Sequence, residues 1–376
     1  MTPLPNPNSG SSHPLRPPDR TRGPRDYCLI SPCRNEARFL RRTLESVTGQ
    51  SEPPALWVIV DDSSTDGTAE ILEEYARRFP YIQVVQRRHT ATRRVGPGVV
   101  EAFYDGYRRV RDLGFDYICK LDTDLELPPR YFATLLDLMQ ADPRLGTVSG
   151  KPFFPADTNP DADPAGDLIS EKIGDEMSAG MIKFYRHACF REIGGFVGQV
   201  MWDGIDCHRC RMHGWIAGSD SRPELRFLHL RPMGSSEQSL WTGRKRHGYG
   251  QWFMGTGLIY LLVSVIYRGT RPPRITGGLG ILWGYLQAMI QARPRYEDRV
   301  FRAFLHRYQR ACLLHGKPAA TRRTNLAQLP IWIRRHGEPG TRHPRQAADH
   351  AAAKPTPPLE TPALQLPSEP LPEVSS

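Results

Sequence analysis

No apolar run opens this chain. Residues 1–25 are polar and rich in proline and serine, which is not the pattern of a secretory signal and reads as a disordered leader. Neither a Gly-x-Gly-x-x-Gly fingerprint nor a Walker-type Gly-Lys-Ser/Thr loop follows the first strand-like run. A dinucleotide-binding Rossmann domain and a P-loop nucleotidase therefore lose their support. Seven cysteines fall into no even, regularly spaced framework, so a disulfide scaffold is excluded and a reducing cytoplasm is expected. No nucleic-acid-binding signature is visible, and the arginines are spread along the chain. The net charge of +10 therefore points to phosphorylated substrates or anionic lipid before nucleic acid.

A globular body is present. Hydrophobic residues make up 39% of the 376 positions and charged residues 24%, enough for a substantial core. The 35 prolines concentrate at the ends, and residues 337–376 read as a disordered tail. From Asp26 to about Gly150, short apolar runs alternate with helical periodicity. The runs Tyr27–Ser31, Leu56–Val60, Ile82–Val85, Tyr117–Leu121 and Leu145–Ser149 predict strands. Segments following Glu36, Ser64, Val99 and Tyr131 predict helices. This alternation predicts a Rossmann-like α/β fold, with a mostly parallel sheet and helices on both faces. Ligands bind such sheets at the carboxyl ends of the strands. Three of those ends carry unusual chemistry: Pro32 to Glu36, Asp61 to Gly67, and Asp122 to Asp124.

In Val60-Asp-Asp-Ser-Ser-Thr-Asp-Gly-Thr68 two carboxylates directly follow a buried run. Like charges at a strand end are unfavourable unless something uses them. Ser64 or Asp66 serves as a cap for the next helix, but capping gives no account of Asp61 and Asp62. A carboxylate there can accept from a pyrimidine N–H or from ribose hydroxyls. In Lys120-Leu-Asp-Thr-Asp-Leu-Glu126, extended chain points Asp122 and Asp124 to the same side. Together they can hold one hard divalent cation with sites left open for phosphates. A solvated acidic turn is the plainer alternative.

Taken in order, four segments resemble the signature of family 2 glycosyltransferases. They are Ile30-Ser-Pro-Cys-Arg-Asn-Glu36, Val60 to Thr68, Leu121-Asp-Thr-Asp124 and Phe190-Arg-Glu-Ile-Gly-Gly-Phe196. The similarity covers roughly Tyr27 to Pro232. It implies a GT-A fold, an inverting reaction, a nucleotide-sugar donor that is often UDP-linked, and Mg²⁺ or Mn²⁺. By resemblance the donor site draws on Pro32, Arg34, Glu36, Asp61, Asp62 and Asp122, with Asp62 on the base. Asp124 binds the metal with Asp122, and His229 completes the metal or diphosphate site, although a lone histidine near a strand end is commonly structural. Gly194, Gly195 and Trp202 fall on the acceptor side. The family places an acidic pair before an amphipathic helix ending in glycine plus an aromatic, here Gly214-Trp215. Counting back puts Asp203 on the catalytic base, with Asp206 the second choice because Trp202 stands where the family often has glutamate. A third possibility makes Asp203 simply a helix cap. Arg93 and Arg94 suit a diphosphate or form an exposed basic turn. Cys207, Cys210 and His213 lack the second ligand pair a structural zinc site needs, so a packed helix face is expected.

Two uncharged stretches, 248–267 and 275–292, approach the roughly 20 residues that span a bilayer. Basic clusters precede, separate and follow them: Arg244-Lys-Arg246, Arg268 to Arg274, and Arg293-Pro-Arg295. A spanning hairpin would put the middle cluster on the far side, against the positive-inside rule. An interfacial pair keeps all three at one anionic surface; two soluble core helices are the remaining possibility. The expected organisation is a catalytic domain over 26–235 and a helical, membrane-associating region over 236–336. The expected site of work is the cytoplasmic face of the cell membrane, as a peripheral or monotopic protein. The expected reaction moves a sugar to a saccharide or lipid-linked acceptor, in cell-surface polysaccharide or glycolipid synthesis. The rivals are a sugar nucleotidyltransferase and a non-catalytic carbohydrate- or lipid-binding relative.

Overall fold

The computed structural model describes residues 23–87, 97–155, 167–231, 240–269 and 274–338. The leader, most of the tail, and Arg93 and Arg94 lie outside them. One compact unit extends to Trp332, and the described part of the second is the short stretch 333–338.

The first half alternates as its sequence pattern predicts. In order come β1 (Tyr27–Cys33), α1 (Ala37–Thr48), β2 (Leu56–Asp61), α2 (Thr68–Arg78), β3 (Ile82–Gln86), α3 (Pro97–Val110), β4 (Tyr117–Leu121), β5 (Leu125–Glu126), α4 (Tyr131–Ala141) and β6 (Leu145–Ser149). The chain continues through β7 (Lys151–Pro155), β8 (Leu168–Ser170), β9 (Ile182–Arg186), α5 (His187–Glu192), α6 (Trp202–Met212), β10 (Ile216–Ser219) and β11 (Arg226–His229). Six helices close it: α7 (Leu240–Met254), α8 (Leu258–Gly269), α9 (Arg274–Ile290), α10 (Arg299–His315), α11 (Lys317–Ala327) and α12 (Leu329–His336).

Seven strands form one sheet in the order β10-β6-β9-β4-β1-β2-β3. It is parallel except for β9, which runs antiparallel to both neighbours. A second sheet, β5-β11-β7-β8, stands beside it and brings His229 at the end of β11 next to Leu125 on β5. The order changes hand between β1 and β4, and at such a point loops diverge to leave a crevice. Continuous apolar runs suit strands covered on both faces: β2 is buried along its whole length. The indole N–H of Trp57 in that core donates to the Ser31 hydroxyl at 2.9 Å, which removes the cost of burying it. Helix α3 presses close enough that a Cβ on Gly106 would lie 2.7 Å from Ile30 Cγ2.

The stretch 248–267 is not one helix. Gly255, at φ +86°, ends α7, and α8 restarts at Leu258. At about 1.5 Å per residue, the twelve residues of α8 reach only about 18 Å, short of a bilayer's hydrocarbon core. Among the described residues no helix is long and apolar enough to cross a membrane.

Candidate active site

Loops after β1 and β2 are sewn together. Asn35, at φ +53°, donates its N–H to Ser64 Oγ at 2.9 Å and accepts from the Thr65 N–H at 2.8 Å. The Glu36 N–H donates to Thr68 Oγ1 at 2.9 Å. Asp66 accepts from the N–H groups of Ala37 and Thr68, so it serves the starts of α1 and α2 together. Ser64 does not cap α2. It donates to Asp61 Oδ1 from its hydroxyl at 2.5 Å and its N–H at 3.2 Å. Asp61 therefore has the structural use that the sequence pattern did not supply: buried at the strand end, it braces the turn.

Asp62 is different. Its carboxylate accepts from Arg87 at 3.1 Å, with Arg34 on its other oxygen at 3.5 Å. Arg87 also meets Glu101 at 3.1 Å and Asp105 at 2.6 Å. One guanidinium thus aligns three carboxylates at the end of β3, and Asp62 faces the crevice on a braced base. Pro32 pairs with Val60 within the sheet.

At the end of β4 the carboxylates diverge. Lys120, itself buried, donates to Asp122 Oδ1 at 2.5 Å and to the Gly180 carbonyl at 2.9 Å. Asp124 is buried and turns toward β11. Its Oδ2 accepts from Arg231 at 2.6 Å and lies 3.5 Å from His229 Nε2. His229 Nδ1 is 2.9 Å from Glu171, and Arg231 reaches on to Glu36 at 2.5 Å. For Asp124, burial acts to raise the pKa, but the hydrogen bond and charge of His229, with Arg231, outweigh it and bring it down to about 2. Burial acts to lower His229, and its bonds to Asp124 and Glu171 carry it up to about 9.

The residues fit a hard cation in their chemistry. Asp124 Oδ1 is buried with no hydrogen-bond partner, and a buried lone oxygen beside an imidazole is costly unless something binds it. Glu171 fixes the histidine from behind, as carboxylates do for metal-ligating imidazoles. Even so, Lys120 occupies Asp122 Oδ1 and Arg231 occupies Asp124 Oδ2. Among the described residues no group of three or more His, Cys, Asp or Glu side chains is gathered to hold an ion.

The opposite wall is the first turn of α6. Met201 at φ +65° is the residue before the helix, so Asp203 lies within the turn and does not cap it. The Asp203 carboxylate rests on Gly180: a Cβ there would meet Asp203 Oδ2 at 2.7 Å and its Cβ at 3.2 Å. Lys120 holds the carbonyl of that same glycine, so Gly180 touches both the lysine that pairs with Asp122 and the carboxylate of Asp203. Gly180→Ala is expected to push Asp203 aside and lower turnover about 10²-fold, the usual scale for displacing a reacting group by about 1 Å, with little change in melting temperature. Unchanged turnover would show that Asp203 has room to spare.

Asp206 occupies another environment. It is fully buried, paired with Lys183 at 2.7 Å, and it accepts from the Tyr185 hydroxyl and the Cys207 N–H. Burial pushes its pKa up against the pull of Lys183, which also donates to the Asp203 carbonyl at 2.9 Å. Trp202 is nearly buried, its ring 5.3 Å from the Lys120 ammonium and 5.8 Å from that of Lys183. Gly194 and Gly195 have φ near +70°, and a Cβ on Gly195 would strike the Tyr104 hydroxyl at 2.3 Å. Their backbone and packing alone require glycine. Cys207 and Cys210 are buried free thiols, in keeping with a packed helix face.

The glycosyl transferase family 2 model matches residues 28–196. Through these residues the chain is similar to glycosyl transferase family 2. It is 26% identical over 122 residues to the poly-β-1,6-N-acetyl-D-glucosamine synthase of Staphylococcus epidermidis, covering 32% of this chain and 27% of that one. The Staphylococcus aureus enzyme of the same name is 26% identical over 121 residues. The chain thus spans little more than a quarter of these relatives' length. The solved structure of GalNAc-T7 with UDP, GalNAc and Mn²⁺ superposes with a TM-score of 0.50 at 14% identity, covering 88% of this chain and 58% of that one. The fold is accordingly of the GT-A type.

Five residues of this site escaped the sequence reading: Arg87, Lys120, Glu171, Gly180 and Arg231. Lys120 stands inside the quoted motif, two residues before Asp122. A lysine closing a buried strand signals an ionic partner nearby. The others carry no local signal, since their partners are remote in sequence.

Proposed function

We propose that the protein transfers a sugar, with inversion, from a nucleotide-sugar donor to an acceptor hydroxyl, with Asp203 as general base. The observation that carries this is that the Asp203 carboxylate rests on Gly180, whose carbonyl is held by the lysine that pairs with Asp122, while Asp206 is held in a buried ion pair. The acceptor oxygen gives its proton to the Asp203 carboxylate as it bonds the anomeric carbon. The bond from that carbon to the diphosphate breaks on the opposite face, and a nucleoside diphosphate leaves. Asp62, held by Arg87, is positioned for the base or ribose, and Arg34 lies beside it. Asp122, Asp124 and His229 would hold Mg²⁺ or Mn²⁺, with Asp124 Oδ1 as the open oxygen. When bound, such an ion neutralises the charge of the leaving diphosphate. The relatives' names favour N-acetylated hexosamine donors and a cell-surface polysaccharide or glycolipid product. An anionic membrane surface is the proposed place of work, on its cytoplasmic side, because the basic clusters flank an apolar helical region.

A panel of sugar nucleotides tests the reading: nucleoside diphosphate should be released with a matching donor. Pyrophosphate release from a nucleoside triphosphate supplied with a sugar 1-phosphate would instead favour a nucleotidyltransferase. Asp124→Ala should lower turnover about 10³-fold or more and weaken Mn²⁺-dependent donor binding. The fold should persist, because Glu36 and Glu171 keep Arg231 and His229 partnered. Full activity in EDTA would remove the metal from the scheme.

A further inference from the structure

Helix α8 leaves one stripe exposed among the described residues. Ile259, Leu262, Val263 and Ile266 recur at the spacing of a single helix face, and Ile259 and Ile266 are about 70% exposed (72% and 70%). On α9, Trp283 and Ile290 are likewise exposed, at 54% and 78%. The inner sides of the same helices are packed with Trp252 in one cluster of Leu261, Ile281, Tyr285 and Ala288, so the outer stripes are not a frayed core.

Charge identifies the occupant. Residues 240–296 contain eight lysines and arginines and no aspartate or glutamate. Large exposed apolar side chains among cations, with no anion for 57 residues, match a bilayer with an anionic headgroup layer.

This face is rigidly tied to the base-bearing helix. Helices α7 and α9 touch backbone to backbone: a Cβ on Gly248 would lie 2.0 Å from the Ile281 carbonyl oxygen, and one on Gly284 2.0 Å from that of Lys245. Such contact is open only to glycine and locks the crossing. Helix α7 in turn seats the start of α6, where a Cβ on Gly250 would meet Met201 Cγ at 2.3 Å and Gly204 lies against Met254. Met201 is two residues from Asp203.

We infer that the α8–α9 face dips into an anionic bilayer and that the acceptor is a lipid-borne hydroxyl presented from that bilayer to Asp203. This rests on the transferase reading above and narrows its acceptor. A soluble acceptor would gain nothing from coupling the base-bearing helix, through two glycine-jammed contacts, to an apolar face.

The test uses the full chain and its Ile259→Gln/Ile266→Gln variant, neither residue belonging to the catalytic machinery. Two probes are needed: vesicles of phosphatidylcholine with or without phosphatidylglycerol, and the same vesicles carrying a total bacterial lipid extract. The wild type should sediment with the phosphatidylglycerol vesicles and not with phosphatidylcholine alone. The variant's partition should fall about tenfold or more, since burying each such side chain is worth at least that factor. With labelled nucleotide sugar, label should pass into extract-bearing vesicles, tenfold less with the variant, while donor hydrolysis in solution stays equal. Equal transfer by both proteins to a water-soluble saccharide, with none to lipid, would overturn the inference. So would dimers that dissociate in the variant without vesicle binding, which would assign the face to a second copy of the chain. Asp203→Asn should bind vesicles normally and transfer about 10²- to 10⁴-fold more slowly to any acceptor. Absence of nucleoside diphosphate release with every donor would defeat the transferase reading and leave the vesicle result standing on its own.

Discussion

Replacing Asp203 with Asn is expected to lower turnover by about 10²- to 10⁴-fold, the usual contribution of a positioned general base. Donor and metal binding should barely change, because the residues proposed for them are Asp62, Asp122 and Asp124. Stability should hold as well. Asp203 lies within the first turn of α6, no described donor reaches its carboxylate, and the substitution preserves its size against Gly180. The measurement is kcat alongside KM for the donor, with a melting curve for each variant. Asp206→Asn is the companion. Its loss of activity should follow its loss of folded protein, since Asp206 is buried against Lys183. An Asp203→Asn enzyme with normal kcat would place the base elsewhere.

Lys183→Met is expected to destabilise the fold by about 3–5 kcal/mol, the cost of stranding one member of a buried ion pair. Lys183 and Asp206 have 0% and 1% of their side chains exposed, so neither charge can recover water. The Tyr185 hydroxyl would remain as a partner for Asp206, but it brings no charge. Adding Asp206→Leu should restore much of the loss, because the second change removes the stranded charge. Urea denaturation of the two variants and the wild type gives the comparison. A single variant within about 1 kcal/mol of the wild type would mean that water or a rearrangement rescues Asp206. The double variant has a further use. Lys183 also bonds the Asp203 carbonyl, so kcat falling in a stable double variant would show that the pair positions the base.

Much of the catalytic half was legible because its signals are local. Each of the strands β1 to β4 and β6 is a short apolar run, and burial on both faces of a parallel sheet demands such runs. The aspartates at 61, 62, 122 and 124 stand immediately after strands, where a sheet of this kind opens. What they do there was not legible. Asp61 and Asp62 are neighbours of identical chemistry, yet one braces a turn through Ser64 and the other faces Arg87 and Arg34. The difference arises from which way each side chain leaves the strand end, and no composition or spacing encodes it. The C-terminal helices were legible only in part. An uncharged stretch of spanning length was visible at 248–267, but Gly255 breaks it, and a single positive-φ glycine among several others carries no distinguishing mark in the sequence.

The sequence by itself determined the alternation of strands and helices, the resemblance to a family through its ordered motifs, and the carboxylates at the strand ends. All of these rest on neighbours within a few residues, where periodicity and strand geometry act directly. Only the tertiary structure decided which groups share a site. It brought Gly180 under Asp203, set Arg231 between Asp124 and Glu36, and sealed Asp206 against Lys183. These pairs are 23 to 195 residues apart, and their meeting depends on how β9, α6 and β11 pack around β4. A charge's role depends on what surrounds it once water has left, and that environment exists only in the folded chain.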